Sequence, residues 1–85
     1  MTSEEMLQDA AAIIGERGAA YGDAATSMSK VAARWSITLG CTVTPAQVVL
    51  CMIDLKLVRL AHDPKHQDST ADVIGYAALL PKVTR

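Results

Sequence analysis

The sequence has little of the chemistry that marks several common protein classes. Its 85 residues include two cysteines and no Cys-x-x-Cys pair. Cys41 and Cys51 are therefore interpreted as free, reduced thiols. Eight Lys and Arg residues against nine Asp and Glu residues give a formal net charge of −1. Because the basic residues are scattered and form no stripe, a nucleic-acid polymer is not an expected partner.

Export and membrane signals are also missing from the sequence. Residues 1–9 carry acids where a signal peptide needs basic residues followed by an apolar stretch. The longest uninterrupted apolar run, residues 48–53, is far too short to span a bilayer. The sequence therefore predicts a cytoplasmic protein with no membrane partner.

Aliphatic side chains are what the sequence has in excess. Hydrophobic residues make up 51 % of the chain, although it has no Phe and one Trp. A single domain of this length, residues 1–85, buries only about 60–65 % of the surface that its unfolded chain exposes. Association with further copies is the simplest way to cover the remainder, so a homo-oligomer is predicted.

Apolar spacing and capping signals predict four helices, of which the first two lie before residue 40. The first opens with a Thr-x-x-Glu capping box at Thr2. Its apolar pattern fades at Gly15 and stops by Gly18, which predicts a loop up to Asp23. Asp23 is a good N-cap for a second helix over residues 24–39.

The other two helices follow in the second half of the chain. Thr44 followed by Pro predicts a third helix over residues 45–62, which is apolar nearly all round and is expected to be both central and packed between subunits. A fourth helix is predicted to begin at Ser69, with Asp72 at its third position, and to end at Pro81. The predicted fold class is all-α: a small four-helix domain of helical hairpins, completed by oligomerisation.

Three charged residues interrupt the apolar helices and are the best candidates for chemistry. Lys56 and Arg59 are three residues apart, so they share one face of the third helix. Such cations need an anion or solvent, and Asp72 of the fourth helix is one available partner. The three residues form either an internal salt-bridge cluster or a half-neutralised pocket for a phosphate or carboxylate. Their spacing alone does not decide between these alternatives.

The fourth helix adds two further candidates on the same segment. Tyr76 shares a face with Asp72, four residues before it. Gly75 costs the helix about 1 kcal/mol relative to Ala. Its presence therefore indicates a close approach, most commonly by a neighbouring helix and otherwise by a ligand.

The predicted loop before the second helix carries the remaining candidates. Arg17 could meet a phosphate and Tyr21 could stack on a flat group, or the segment could be a structural turn capped by Asp23. His62 and His66 are four residues apart, but the Asp-Pro pair between them breaks the helix that would align two metal ligands. Neither a metal nor another cofactor is expected.

These residues together resemble a family of small helical proteins of bacteriophages and prophages. The motifs that carry the resemblance span nearly the whole chain and are Arg17-x-x-x-Tyr21-Gly22-Asp23, Trp35 before a glycine, Thr44-Pro45, Leu55-Lys56-x-x-Arg59-Leu60-Ala61-His62 and Asp72-x-x-Gly75-Tyr76-Ala77. That family is in turn distantly similar to phage nucleotide-modification-associated domains and to MazG-like all-α nucleoside triphosphate pyrophosphatases. Such enzymes hold magnesium through Glu-x-x-Glu and Glu-x-x-Asp pairs. Here Asp68 and Ser69 precede Asp72 where a Glu is needed, so the set of carboxylates is depleted.

The resemblance implies a phage protein that binds a nucleotide or a nucleotide-derived phosphorylated ligand, and sequestration of a host defence signal is one use of such binding. The ligand-binding residues would be Arg17, Tyr21, Lys56, Arg59, Asp72 and Tyr76, with no catalytic residue assigned. Two alternatives stay open: an oligomeric structural or interaction protein without a ligand, and a divergent MazG-like nucleotide pyrophosphatase.

Overall fold

Residues 1–84, the part of the chain that the structure describes, fold into four α-helices. A computed structural model describes residues 1–84, with the side chain of Tyr21 excepted. The helices are α1 (Ser3–Tyr21), α2 (Ala24–Leu39), α3 (Pro45–His62) and α4 (Gln67–Val83). Residues 1–84 contain no β-strand, so the predicted all-α class is confirmed.

The bounds of α2 and α3 match the prediction because both helices begin at strong caps. The Asp23 carboxylate accepts the Thr26 N–H at 3.0 Å at the start of α2. Gly40 ends that helix in the left-handed conformation, at φ 70°. Thr44 and Gln47 form a reciprocal capping box at the start of α3.

The prediction for the end of α1 was wrong. The helix continues through Gly15 and Gly18 to Tyr21 instead of stopping by Gly18. Each internal glycine costs about 1 kcal/mol relative to Ala, which weakens a helix without ending it. The chain leaves the helix at Gly22, whose φ of 82° suits glycine and whose N–H donates to the Gly18 carbonyl. Arg17 therefore lies on a helix and not in a loop.

The predicted bounds of α4 were also wrong at both ends. His66, and not Ser69, is the N-cap, since its Nδ1 accepts the Ser69 N–H at 3.2 Å. The helix then runs through Pro81 to Val83, and the Thr84 N–H donates to the Leu80 carbonyl at its end. Consequently Asp72 lies inside α4, away from the capping position that the sequence predicted for it.

The central helix is α4, which contacts α1, α2 and α3, whereas α3 packs against α2 and α4. The expectation that α3 is the central helix was therefore wrong. The apolar core consists of small and β-branched side chains: Ala10, Ala32, Val48, Val49 and Ala71. Packing such side chains brings the helices close together, but it buries little surface per residue.

The molecule is elongated, with principal extents of 42 × 30 × 21 Å. Its Cα radius of gyration is 13.6 Å, whereas a compact domain of this length has a value of about 12 Å. Within residues 1–84, no helix is both long enough and apolar enough to cross a membrane.

Candidate functional site

Asp72 is the centre of the candidate site. Its Oδ1 lies 3.2 Å from Arg17 Nη1 on α1, and its Oδ2 lies 3.2 Å from Lys56 Nζ on α3. The Asp72 side chain is 12 % exposed. One carboxylate on α4 therefore connects the two helices that flank it.

The charges of this cluster do not cancel. Two cations meet one carboxylate, so a net positive charge remains next to a largely buried group. The Lys56 side chain is 28 % exposed and that of Arg17 is 57 % exposed, so solvent screens the Lys56 ion pair less. Both cations have N–H groups that Asp72 does not use, and these suit an anion with several acceptor oxygens.

Arg59 lies apart from this cluster. The sequence suggested Asp72 as a partner for both Lys56 and Arg59, but Arg59 Nη2 lies instead 3.4 Å from His66 Nε2. His66 Nδ1 accepts the Ser69 N–H and also lies 2.8 Å from Ser69 Oγ, so which ring nitrogen carries the proton depends on the tautomer. Arg59 therefore contacts a ring nitrogen of His66 instead of the Asp72 carboxylate.

A large cleft opens on one side of Asp72, between α1, the beginning of α2, and α4. Its volume is about 500 Å³, within the range of small-molecule pockets. Its lining is mainly apolar and includes Ile13, Ile14, Met28 and Leu79. Charged side chains also line it, namely Arg17, Asp23, Asp72 and Lys82.

A small cleft lies on the other side of Asp72, between α3 and the beginning of α4. Its volume is about 360 Å³. Polar and charged residues supply most of its lining, namely Lys56, Arg59, His66, Asp68, Ser69 and Asp72. Asp72 lines both clefts, so it forms part of the wall between them.

Five of the six residues predicted for a ligand site line the two clefts. Arg17 and Tyr76 line the large cleft, Lys56 and Arg59 line the small one, and Asp72 lines both. The side chain of Tyr21 lies outside the described part of the chain, so its predicted role stays a prediction.

Gly75 also lines the large cleft, where α4 faces α1. A Cβ added at this position would lie 3.6 Å from Ile14 Cγ1, which is an ordinary van der Waals distance. α1 therefore lies beside Gly75, but the gap would admit an alanine, so the predicted close approach does not account for the glycine.

Lys82 and His66 are site residues that the sequence reasoning missed. Lys82 lies beyond the predicted fourth helix, which was expected to end at Pro81. Helical spacing could have indicated its place in the site. If the helix continues past Pro81, Lys82 lies on the same face as Tyr76 and Leu79. His66 was considered only as a metal ligand, and its capping role carried no signal because histidine is not a preferred N-cap residue.

Asp23 keeps a negative charge at the rim of the large cleft. The Thr26 hydroxyl donates to Asp23 Oδ2 at 2.8 Å, and the Thr26 N–H donates to the same oxygen. These hydrogen bonds lower the pKa of Asp23, with the hydroxyl bond as the main cause. Among the described residues, no group of three or more His, Cys, Asp or Glu side chains is placed to hold a metal ion.

The fold and the site define a small all-α domain in which a doubly paired aspartate separates two clefts. Comparison with known proteins shows that the chain belongs to the family DUF6378, a domain of unknown function, whose model matches residues 5–84. The chain is similar to the Gene 55 protein of Mycobacterium phage L5, with 35 % identity over 83 residues. That alignment covers 96 % of this chain and 49 % of the phage protein, so the chain spans about half of its relative. No solved structure matches the chain.

Proposed function

We propose that this domain binds a nucleotide or a nucleotide-derived phosphorylated small molecule at the Asp72 cluster. The observation that carries the proposal is the unbalanced charge at Asp72, where two cations on different helices share one carboxylate beside an apolar cleft. Binding is the proposed activity, and sequestration of a host signal in the cytoplasm of an infected cell is one use of it.

Arg17 and Lys56 are the groups that would bind the phosphate of the ligand. Arg17 offers a planar guanidinium at the edge of the large cleft, and Lys56 offers a point charge on the opposite side of Asp72. Their remaining N–H groups are suited to phosphate oxygens, and each charge-assisted hydrogen bond contributes about 1.5–3 kcal/mol. Lys82 adds a second cation, beside Arg17, to the lining of the large cleft.

The large cleft supplies the place for the flat, less polar part of the ligand. Its apolar lining and volume of about 500 Å³ suit a nucleoside. Tyr76 lines the cleft on the same face of α4 as Asp72, and an aromatic ring at that position can stack on a base.

Metal-dependent pyrophosphate hydrolysis has less support. Both carboxylate oxygens of Asp72 already pair with cations, so a magnesium ion would have to displace Lys56 or Arg17. Magnesium also requires several oxygen ligands in near-octahedral geometry. The proposal therefore describes ligand binding without a resident metal.

A structural role without a ligand is the second candidate, and the same ion pairs favour it. Asp72 connects α4 to α1 through Arg17 and to α3 through Lys56, which fixes how the helices pack. In that case, substitutions at Lys56 or Arg17 would lower the melting temperature without affecting the binding of any small molecule.

Isothermal titration calorimetry with blocked-cleft variants separates the two candidates. The probes are nucleoside mono-, di- and triphosphates, cyclic dinucleotides and inorganic phosphate. Ala78 and Ala77 are both exposed neighbours on α4, but only Ala78 is among the residues that line the large cleft. We expect Ala78→Trp to abolish nucleotide binding and Ala77→Trp to leave it unchanged.

Variants that remove a charge provide a second test of nucleotide binding. Lys56→Ala is expected to weaken nucleotide binding by about 10- to 100-fold, the equivalent of one charge-assisted hydrogen bond. The matched control is Lys30→Ala, since Lys30 is exposed on α2, away from both clefts. If no probe binds the wild-type protein, or if Ala78→Trp and Ala77→Trp behave alike, the proposal is wrong.

A further inference from the structure

The outward face of α3 exposes several apolar side chains. Residues 50, 54, 57, 58 and 61 recur at helical spacing on the side opposite Val48 and Val49. Leu50 is 50 % exposed, Leu57 is 48 % exposed and Val58 is 72 % exposed. We refer to these five positions as the outer α3 face.

The chain exposes more surface than a compact monomer of its mass. Its accessible surface is 5869 Å². A compact monomer of 9.0 kDa exposes about 4,850 Å² by the general scaling of surface with mass. The excess of about 1,000 Å² is slightly more than the 800 Å² that each partner typically buries in a stable interface.

The charges on the outer α3 face restrict how two copies can meet. Asp54 lies in the middle of this face and is exposed. A parallel pair of α3 helices, or an antiparallel pair centred on Asp54, would bring two like carboxylates together in an apolar contact, which is unfavourable. An antiparallel pair centred on Val58 instead sets Asp54 level with His62 of the partner subunit, because both residues are four positions from Val58.

We propose that a second copy of this chain binds the outer α3 face, with the two α3 helices antiparallel and the two-fold axis near Val58. Leu57, Val58 and Ala61 of the two copies then lie next to one another around the axis, and each Asp54 gains an exposed imidazole as its neighbour. This assembly leaves the Asp72 cluster untouched, since Lys56 is directed toward α4. The proposal therefore stands independently of the ligand.

Sedimentation equilibrium of the full chain over a concentration series tests the interface. We expect the wild-type mass to be twice 9.0 kDa and Val58→Glu to return it to that of one chain, because two glutamates would meet at the axis. Leu7→Glu is the control: Leu7 is 56 % exposed and lies on α1, so the same added charge should not change the mass. Far-UV circular dichroism checks that both variants remain helical.

A charge exchange and a crosslink test the register. His62→Asp is expected to weaken the dimer, and adding Asp54→Arg to that variant should restore it. With both native cysteines replaced by serine, Val58→Cys should be joined by a short bis-maleimide reagent and Leu7→Cys should not. A monomeric wild type, a dimer that survives Val58→Glu, or a failure of Asp54→Arg to restore association would each overturn the proposal.

Discussion

The two clefts beside Asp72 differ in what they can hold. The large cleft, between α1, α2 and α4, is lined mainly by apolar side chains and has about 500 Å³ of space. The small cleft, between α3 and α4, has about 360 Å³ and a mainly polar and charged lining. A ligand with a flat apolar body fits only the first, whereas a phosphate group finds cations beside both.

Asp72 has a specific role because it lines both clefts. Asp72 orders one cation at each cleft, Arg17 at the large one and Lys56 at the small one. We therefore assign two roles to Asp72. It holds three helices together, and it positions the two cations that would contact the ligand. Four experiments test this difference between the two clefts.

Removing the shared carboxylate should have the largest effect on stability. Asp72→Ala leaves Arg17 and Lys56 facing each other without an anion, and we expect a loss of about 2 kcal/mol, less than for a fully buried pair. That loss corresponds to a decrease in melting temperature of about 10 °C for a domain of this size. Thermal denaturation followed by circular dichroism measures it. The control is Asp9→Ala at an exposed position on α1, and equal effects at the two positions would contradict the assigned role.

Removing one cation at a time should show that the two sides of Asp72 are unequal. Lys56→Met is expected to cost about 1 kcal/mol and Arg17→Met about 0.5 kcal/mol, because the more exposed ion pair is screened more. Urea denaturation measures both, with Arg34→Met at an exposed position on α2 as the control. A larger loss for Arg17→Met than for Lys56→Met would reverse the comparison.

The sequence predicted the helices well where the caps were strong and poorly where they were weak. Asp23 and Thr44 fixed the starts of α2 and α3, since each side chain satisfies a backbone N–H of its own helix. The ends of α1 and α4 were missed because glycine and proline were taken as stops. Tertiary contacts outweigh such local penalties when the rest of the helix is packed.

The sequence predicted which residues form the candidate site, but it did not predict which of them form ion pairs. Lys56 and Arg59 are equally plausible partners for Asp72 by spacing, since both lie on one face of α3. Only the relative position of α3 and α4 decides that Lys56 reaches Asp72 while Arg59 reaches His66. Arg17 was not considered as a partner because its segment was predicted to be a loop. Pairing between helices depends on three-dimensional orientation, which apolar spacing does not specify.

The glycine in the wall of the large cleft should tolerate a methyl group. Gly75→Ala is expected to raise stability by about 0.5–1 kcal/mol, because the new Cβ makes an ordinary contact with Ile14 and the helix gains propensity. Gly15→Ala, on α1 with no atom within 4 Å of its added Cβ, is the matched control. Both should raise the melting temperature, and only Gly75→Ala should weaken nucleotide binding. A destabilised Gly75→Ala would mean that α1 and α4 are packed more tightly than described.

The smallest expected effect is a pH dependence at the rim of the large cleft. Hydrogen bonds from Thr26 lower the pKa of Asp23 in the folded protein. Its stabilising contribution is therefore present above the ordinary aspartate pKa of about 3.9 and is lost as the pH falls through the lowered value. Asp23→Asn keeps a capping side chain without this titration. The melting temperatures of wild type and Asp23→Asn should differ least at the lowest pH, and a gap that widens toward acid would contradict the assigned direction.

Nuclear magnetic resonance gives the sharpest test of nucleotide binding at the Asp72 cluster. A ¹H–¹⁵N titration of the wild-type protein with the nucleotide panel reports binding at each backbone amide. We expect the largest shifts at residues 72–76 of α4 and around Arg17 of α1, and we expect Lys56→Ala to raise the nucleotide concentration that they require by about 10- to 100-fold. Shifts confined to the outer α3 face, or none for any nucleotide in the panel, would contradict the proposal.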